Sequence, residues 1–148
     1  MAVKEGRLKT MDEKMINDFI EYYNVTDPYS KISNIKMVRL GDGVSEVKME
    51  VKEENLNFMG GIHGGALLTL ADVAAGASTS RSGRKCVTLS SSGNFLRLAC
   101  PGDVYGYGKE LGVKDNVATC EVVIKDSQNN IIYKGTNTMY LFDEILKP

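Results

Sequence analysis

The chain has 148 residues, 43% of them hydrophobic and 25% charged, with a formal net charge of −1. That length supports one domain with a substantial core, and the balanced charge excludes a general electrostatic pull toward nucleic acid or an anionic membrane. The three cysteines, Cys86, Cys100 and Cys120, match neither a disulfide framework nor paired metal-ligand spacing, so free thiols in a reducing cytoplasm are expected, with no metal and no cofactor. The first fourteen residues contain no apolar core of a leader peptide, so none is expected. The longest apolar run, residues 66–77, is broken by Thr69, Asp72 and Gly76, and no membrane partner is expected.

In chain order, Met11, Met15, Ile16, Phe19, Ile20 and Tyr23 recur at helical spacing and predict a short amphipathic helix over about residues 11–24. Asp27-Pro28 reads as a loop. Residues 35–40 and 44–51 read as strands joined by the tight turn Gly41-Asp42-Gly43, a hairpin. Residues 52–61 form a polar, then glycine-rich loop. Residues 62–80 are apolar on nearly every side, so that helix is expected to be wrapped by other structure, with its small residues letting a sheet come close. Gly83 reads as its terminator, with Arg81 near the helix C-terminus. Four β-like runs follow, at about 86–98, 104–111, 117–125 and 131–142, and Asp126 to Asn130 is a strong turn. Gly93 hints at a bulge. Val117, Thr119, Glu121 and Val123 do not alternate cleanly, which leaves the register of that run open. The order of elements argues for α+β architecture, an antiparallel sheet around one long central helix. An open face or edge of such a sheet favours an oligomer.

The chemistry concentrates in residues 57–76, NFMGGIHGGALLTLADVAAG. The only histidine, His63, precedes Gly64-Gly65 at the start of the apolar helix. Backbone N–H groups at a helix start lack intrahelical partners and can stabilise a developing oxyanion. Asp72 is embedded in the apolar run, and a carboxylate there needs either a satisfied partner or a function. From the residues alone, Asp72 divides evenly between a structural and a catalytic role. His63 reads first as a structural residue, Asn57 as an Asx-turn residue, and Thr88 as an ordinary strand threonine. Arg81, Arg84 and Lys85 form a local basic cluster that could meet a phosphorylated ligand or could be plain solvated surface, as could Lys109 and Lys114.

The pattern Asn57…His63-Gly64-Gly65…Leu70-Ala71-Asp72, followed by Val87-Thr88…Asn94-Phe95-Leu96-Arg97…Pro101-Gly102-Asp103, resembles the hotdog-fold acyl-CoA thioesterases, on the branch of the phenylacetate-pathway and thioesterase-superfamily-member-2 enzymes. The resemblance covers residues 35–142. It implies hydrolysis of acyl-CoA thioesters in homodimers or dimers of dimers, with sites at the subunit interface. It also implies roles: the Gly64 N–H polarises the thioester carbonyl and Asn57 assists. Asp72 from the other subunit serves as general base or nucleophile, and Thr88 positions water or the acid. His63 supports the helix start. Gly65 and the Arg81, Arg84 and Lys85 cluster meet the substrate. The sequence departs from the family where Leu98-Ala99-Cys100 intervene before Pro101, and where Ser90-Ser91-Ser92 crowd the strand. Two other readings share these residues: a non-catalytic acyl-CoA-binding module, and an acyl-thioester dehydratase or hydratase using His63 with Asp72.

Overall fold

The computed structural model describes residues 10–147, apart from the Arg81 side chain; the expectation about a leader lies outside the described residues over its first nine. Helices α1 (Glu13–Thr26) and α2 (Pro28–Ile32) lead into strands β1 (Ile35–Leu40) and β2 (Val44–Met49). Helix α3 (Gly64–Thr79) follows, and then β3 (Arg84–Phe95), β4 (Val104–Lys114), β5 (Val117–Lys125) and β6 (Ile131–Ile145). The strands form one antiparallel sheet in the order β1-β2-β4-β5-β6-β3. The expected α+β architecture, a hotdog fold with the sheet wrapped around a long helix, is what the chain forms.

Several boundaries move. The N-terminal helix starts at Glu13 because Asp12 caps it, accepting from the Met15 N–H at 2.9 Å. Asp27-Pro28, expected as a loop, starts α2: Asp27 accepts from the Ser30 N–H and Pro28 sits at the first helical position, where its missing N–H costs nothing. Strand β3 begins two residues earlier than expected and stops at Phe95, while β4 and β6 run three residues longer. On β5 the buried set is Ala118, Cys120, Val122 and Ile124, so the residues that alternate unevenly in the sequence face outward.

Helix α3 lies against the sheet through Leu67, Leu70, Ala71, Ala74 and Ala75. The approach is closest at β4, where a Cβ on Gly108 would collide with the Ala74 carbonyl. That carbonyl instead accepts from the buried Ser45 hydroxyl at 2.6 Å, so the helix is both packed and tethered. Gly83, with φ of 71°, ends the turn after α3, the left-handed geometry expected of a terminator.

The edge strand β3 carries the irregularity that shapes the site. The bulge falls between Thr88 and Ser90, not at Gly93. Leu89 is the extra residue, and the parity of the strand changes there. Thr88 pairs with Met139 and Ser91 with Asn137, so Thr88, Ser91, Gly93 and Phe95 all share the helix-facing side. Gly93 is small for another reason: the Tyr133 side chain crosses the sheet there, and its hydroxyl would overlap any Cβ at Gly93.

Candidate active site

The start of α3 is assembled locally. Leu56 and Ile62 bridge to each other, and Asn57 organises the loop between them. Its Oδ1 accepts from the N–H groups of Met59 at 2.9 Å and Gly61 at 3.1 Å. This is the Asx geometry, and it leaves the Nδ2 hydrogens available. Phe58 at the loop tip is 97% exposed. His63 is the N-cap of α3: its Nδ1 accepts from the Gly65 N–H at 2.9 Å, while its own N–H donates to the Asn55 carbonyl at 2.8 Å. An Nδ1 that accepts requires the neutral Nε2–H tautomer. The Gly65 amide is therefore occupied. The Gly64 N–H, first in the helix, has no intrahelical acceptor and no hydrogen-bond partner among the described residues. Beside it, the Phe95 ring stands 3.5 Å from where a Gly64 Cβ would be.

The acid lies two turns further along. The sequence suggested a buried carboxylate, but within one chain Asp72 is exposed, because it sits on the flank of α3 that the chain's own sheet leaves open. One of its oxygens is nevertheless held. Oδ1 accepts from the Thr88 hydroxyl at 2.5 Å and from Asn137 Nδ2 at 3.3 Å. Oδ2 has no hydrogen bond among the described residues. Asn137, fully buried on β6, was not anticipated from the sequence. It lies in the polar run Thr136-Asn137-Thr138, and only the register places Asn137 on the side that faces the helix.

Asp72 and Thr88 line a cavity of ≈ 970 Å³ between α1, α2, α3 and the β3–β6 pair. Phe19, Tyr22, Tyr23, Val73, Gly76 and Met139 give it aromatic and apolar walls. Burial pushes the Tyr23 hydroxyl up to about 12, against its hydrogen bond with Ser30, so this tyrosine stays neutral at physiological pH. Burial also pushes the Cys86 thiol at the same wall upward, which keeps it protonated and poorly nucleophilic.

The basic cluster separates into different roles. Arg84 is only 8% exposed along its side chain and is committed inside the fold. Its guanidinium donates to the carbonyls of Phe142 and Leu141 and to Asn116 and Asp143. These bonds pin the end of β6, and Arg84 also lines the cavity that holds Asp72 and Thr88. Lys85 is exposed and pairs with Glu144 at 2.5 Å. The structure thus brings Asn57, His63, Gly64 and Gly65 together at one place, and Asp72 with Thr88 at another.

A family model described as the thioesterase superfamily matches residues 59–133, just over half of the chain. The chain belongs to the thioesterase superfamily. As a member it is a thioester hydrolase, and the expected branch agrees with its relatives. It is 28% identical over 116 residues to the acyl-coenzyme A thioesterase PaaI of Escherichia coli, covering 74% of this chain and 80% of that protein. A conserved protein of Pseudomonas aeruginosa superposes with a TM-score of 0.74 at 30% identity, covering 78% of this chain and 94% of the other. A hypothetical thioesterase of Streptococcus pneumoniae solved with coenzyme A gives 0.74 at 25% identity, covering 87% and 98%. Among the described residues no three His, Cys, Asp or Glu side chains gather into a metal-binding group, and no helix is long and apolar enough to cross a membrane.

Proposed function

We propose that this protein hydrolyses acyl-CoA thioesters at composite sites, each built from two copies of the chain in a homodimer or dimer of dimers. The observation that carries the reading is the grip on Asp72: two donors occupy Oδ1, Oδ2 has no hydrogen bond among the described residues, and the residue lines the cavity. The relatives support CoA as the carrier, since one is named an acyl-coenzyme A thioesterase and another was solved with coenzyme A.

Helix geometry supports the reading with two copies. Gly64 and Asp72 lie eight positions apart on α3, about 12 Å at 1.5 Å per residue. That separation favours a carbonyl group meeting Gly64 of one chain and Asp72 of another. The Gly64 N–H and Asn57 Nδ2 of one copy polarise the thioester carbonyl, and Asp72 of the other supplies the base. Water attacks the carbonyl carbon as Asp72 takes its proton, and the tetrahedral oxyanion is held by the Gly64 amide. The C–S bond then breaks, and the CoA thiolate leaves without strong acid assistance. Direct attack by Asp72 Oδ2, giving an anhydride that water then opens, uses the same groups. Thr88 holds the carboxylate in either route. The acyl group extends into the aromatic-walled cavity. Lys85 and Arg81 are the proposed partners of the CoA phosphates, and the chain acts as a single domain in the cytoplasm. A dehydratase using His63 fits less well, because His63 Nδ1 is engaged at the helix cap.

Thiol release should be followed across short, long and aromatic acyl-CoAs. Wild type should release thiol and Asp72→Ala should not. Mixing equal amounts of Asp72→Ala and Asn57→Ala and exchanging their subunits should raise activity to roughly a quarter of wild type, because about half of the dimers become mixed and one of the two sites in each mixed dimer is intact. Tight acyl-CoA binding with no release by wild type would instead favour a binding module.

A further inference from the structure

Asn137 is a fully buried amide on the helix-facing side of β6. Burying an amide costs unless its hydrogen bonds are met, and both ends of this one are used. Nδ2 donates to Asp72 Oδ1 at 3.3 Å, and Oδ1 pairs with the Ser91 hydroxyl at 3.1 Å. The carboxylate decides the orientation of the amide. The flipped rotamer would set the amide oxygen against a carboxylate oxygen, two acceptors face to face. With Nδ2 toward Asp72, the amide oxygen faces Ser91, which must then donate. Ser91 reaches this place only because the bulge at Leu89 turns it inward. Behind the pair, Tyr133 lies in the slot left by the opposed glycines Gly93 and Gly135 and closes that side with its buried ring.

We propose that Asn137, locked by Ser91, is a positioning residue for Asp72: it and Thr88 both load Oδ1, and so assign Oδ2 as the oxygen that reacts. The inference rests on the thioesterase reading for its kinetic consequence, but the contact itself is testable without turnover. Two donors on one oxygen fix the carboxylate about its terminal torsion, which is otherwise broad. They also leave the lone pairs of the other oxygen free for water or for the acyl carbon. Thr88 alone would leave the carboxylate free to rotate about a single hydrogen bond. The Asn137 amide supplies the second point, from β6 beside the strand that carries Thr88.

The kinetic test compares Asn137→Ala, Ser91→Ala, Asp72→Asn and the Asp72→Asn/Asn137→Ala double variant. Asn137→Ala should lower kcat roughly tenfold, the scale of a lost hydrogen bond to a charged group, with KM within about twofold. Ser91→Ala, which keeps the amide and frees its rotation, should lose a smaller factor of the same kind. In the Asp72→Asn background, adding Asn137→Ala should change kcat less than about twofold, because the residue acts through the acid. An equal loss in both backgrounds, or a loss carried by KM, would overturn the proposal in favour of a general structural role.

The turnover-free test is NMR of protein labelled with 15N-asparagine, the Asn137 side-chain pair being identified by its absence from Asn137→Ala. That pair should exchange slowly with solvent in wild type and shift in Asp72→Asn. An unmoved pair would overturn the contact. A wild type inert toward every acyl-CoA would sink the thioesterase reading while leaving this spectroscopic result to stand or fall by itself.

Discussion

The two ends of the site are built in opposite ways. At the start of α3, Asn57, His63 and the glycines are near neighbours in sequence, and each bond there spans a few residues: Asn57 to Met59 and Gly61, His63 to Gly65. Two turns on, Asp72 is held by Thr88 from the edge strand and Asn137 from its neighbour, residues 16 and 65 positions away. The first end offers backbone dipoles that need only a local fold. The second depends on strand register, and one residue of slip would turn the residues beyond it to the wrong face. In the proposed mechanism the polarising end tolerates local assembly, whereas an acid whose reacting oxygen is selected requires the whole sheet.

Substitutions should separate the ends. Asp72→Asn keeps the size of the side chain and both partners in reach but removes the proposed base. Its kcat should fall on the order of 100- to 10,000-fold, measured by thiol release, with the fold retained by circular dichroism; near-wild-type turnover would remove the acid end from the mechanism. Thr88→Val should cost roughly tenfold in kcat through the lost charge-assisted hydrogen bond, and Thr88→Ser should recover most of it. A loss in Thr88→Ser with none in Thr88→Val would mean that the methyl group, not the hydroxyl, matters. Asn57→Ala should cost about tenfold or less, because the Gly64 amide remains, and this variant should also loosen the loop, read as faster amide exchange at Met59 and Gly61.

His63→Ala should act mainly on stability. Loss of the helix cap should lower unfolding free energy by about 0.5–2 kcal/mol in denaturant titration, and kcat should fall only as far as the Gly64 amide is displaced. A kcat loss as large as that of Asp72→Asn would revive a proton-transfer role for the histidine.

Asp126, remote from both ends, supplies the smallest effect on turnover and a pH signature of its own. The Cys100 backbone amide, followed by Asn130 and Gln128, holds its carboxyl well below the usual range. A depressed folded value means that the stabilisation is fully present above the unfolded value, about pH 4, and is lost as pH falls through the folded one. The melting-temperature gap between wild type and Asp126→Asn should therefore be widest near neutrality and shrink below about pH 4. A gap that does not change with pH would rule out this linkage.

The legibility of the molecule follows the same division. Helix α3, the Gly41 to Gly43 hairpin turn, the Asp126 to Asn130 turn and the His63-Gly64 start could all be read from the chain, because apolar periodicity, turn chemistry and capping act over a few residues. Helix α2 escaped because Asp-Pro serves equally as loop punctuation and as a cap with a first helical residue. Arg84 read as a surface cation because nothing near it in sequence announces the carbonyls of Leu141 and Phe142. Nothing near Asn137 in sequence announces its inward amide, for the same reason.

By itself, then, the sequence determined an α+β chain with one wrapped helix, a glycine pair at that helix's start and an acid within its apolar run. Only the tertiary structure decided that β3 closes the sheet beside β6, that a bulge at Leu89 turns Thr88 and Ser91 inward, and that Asn137 meets Asp72. Capping and periodicity are short-range consequences of backbone geometry, whereas register across a sheet is fixed only when distant strands pair and bury their faces together.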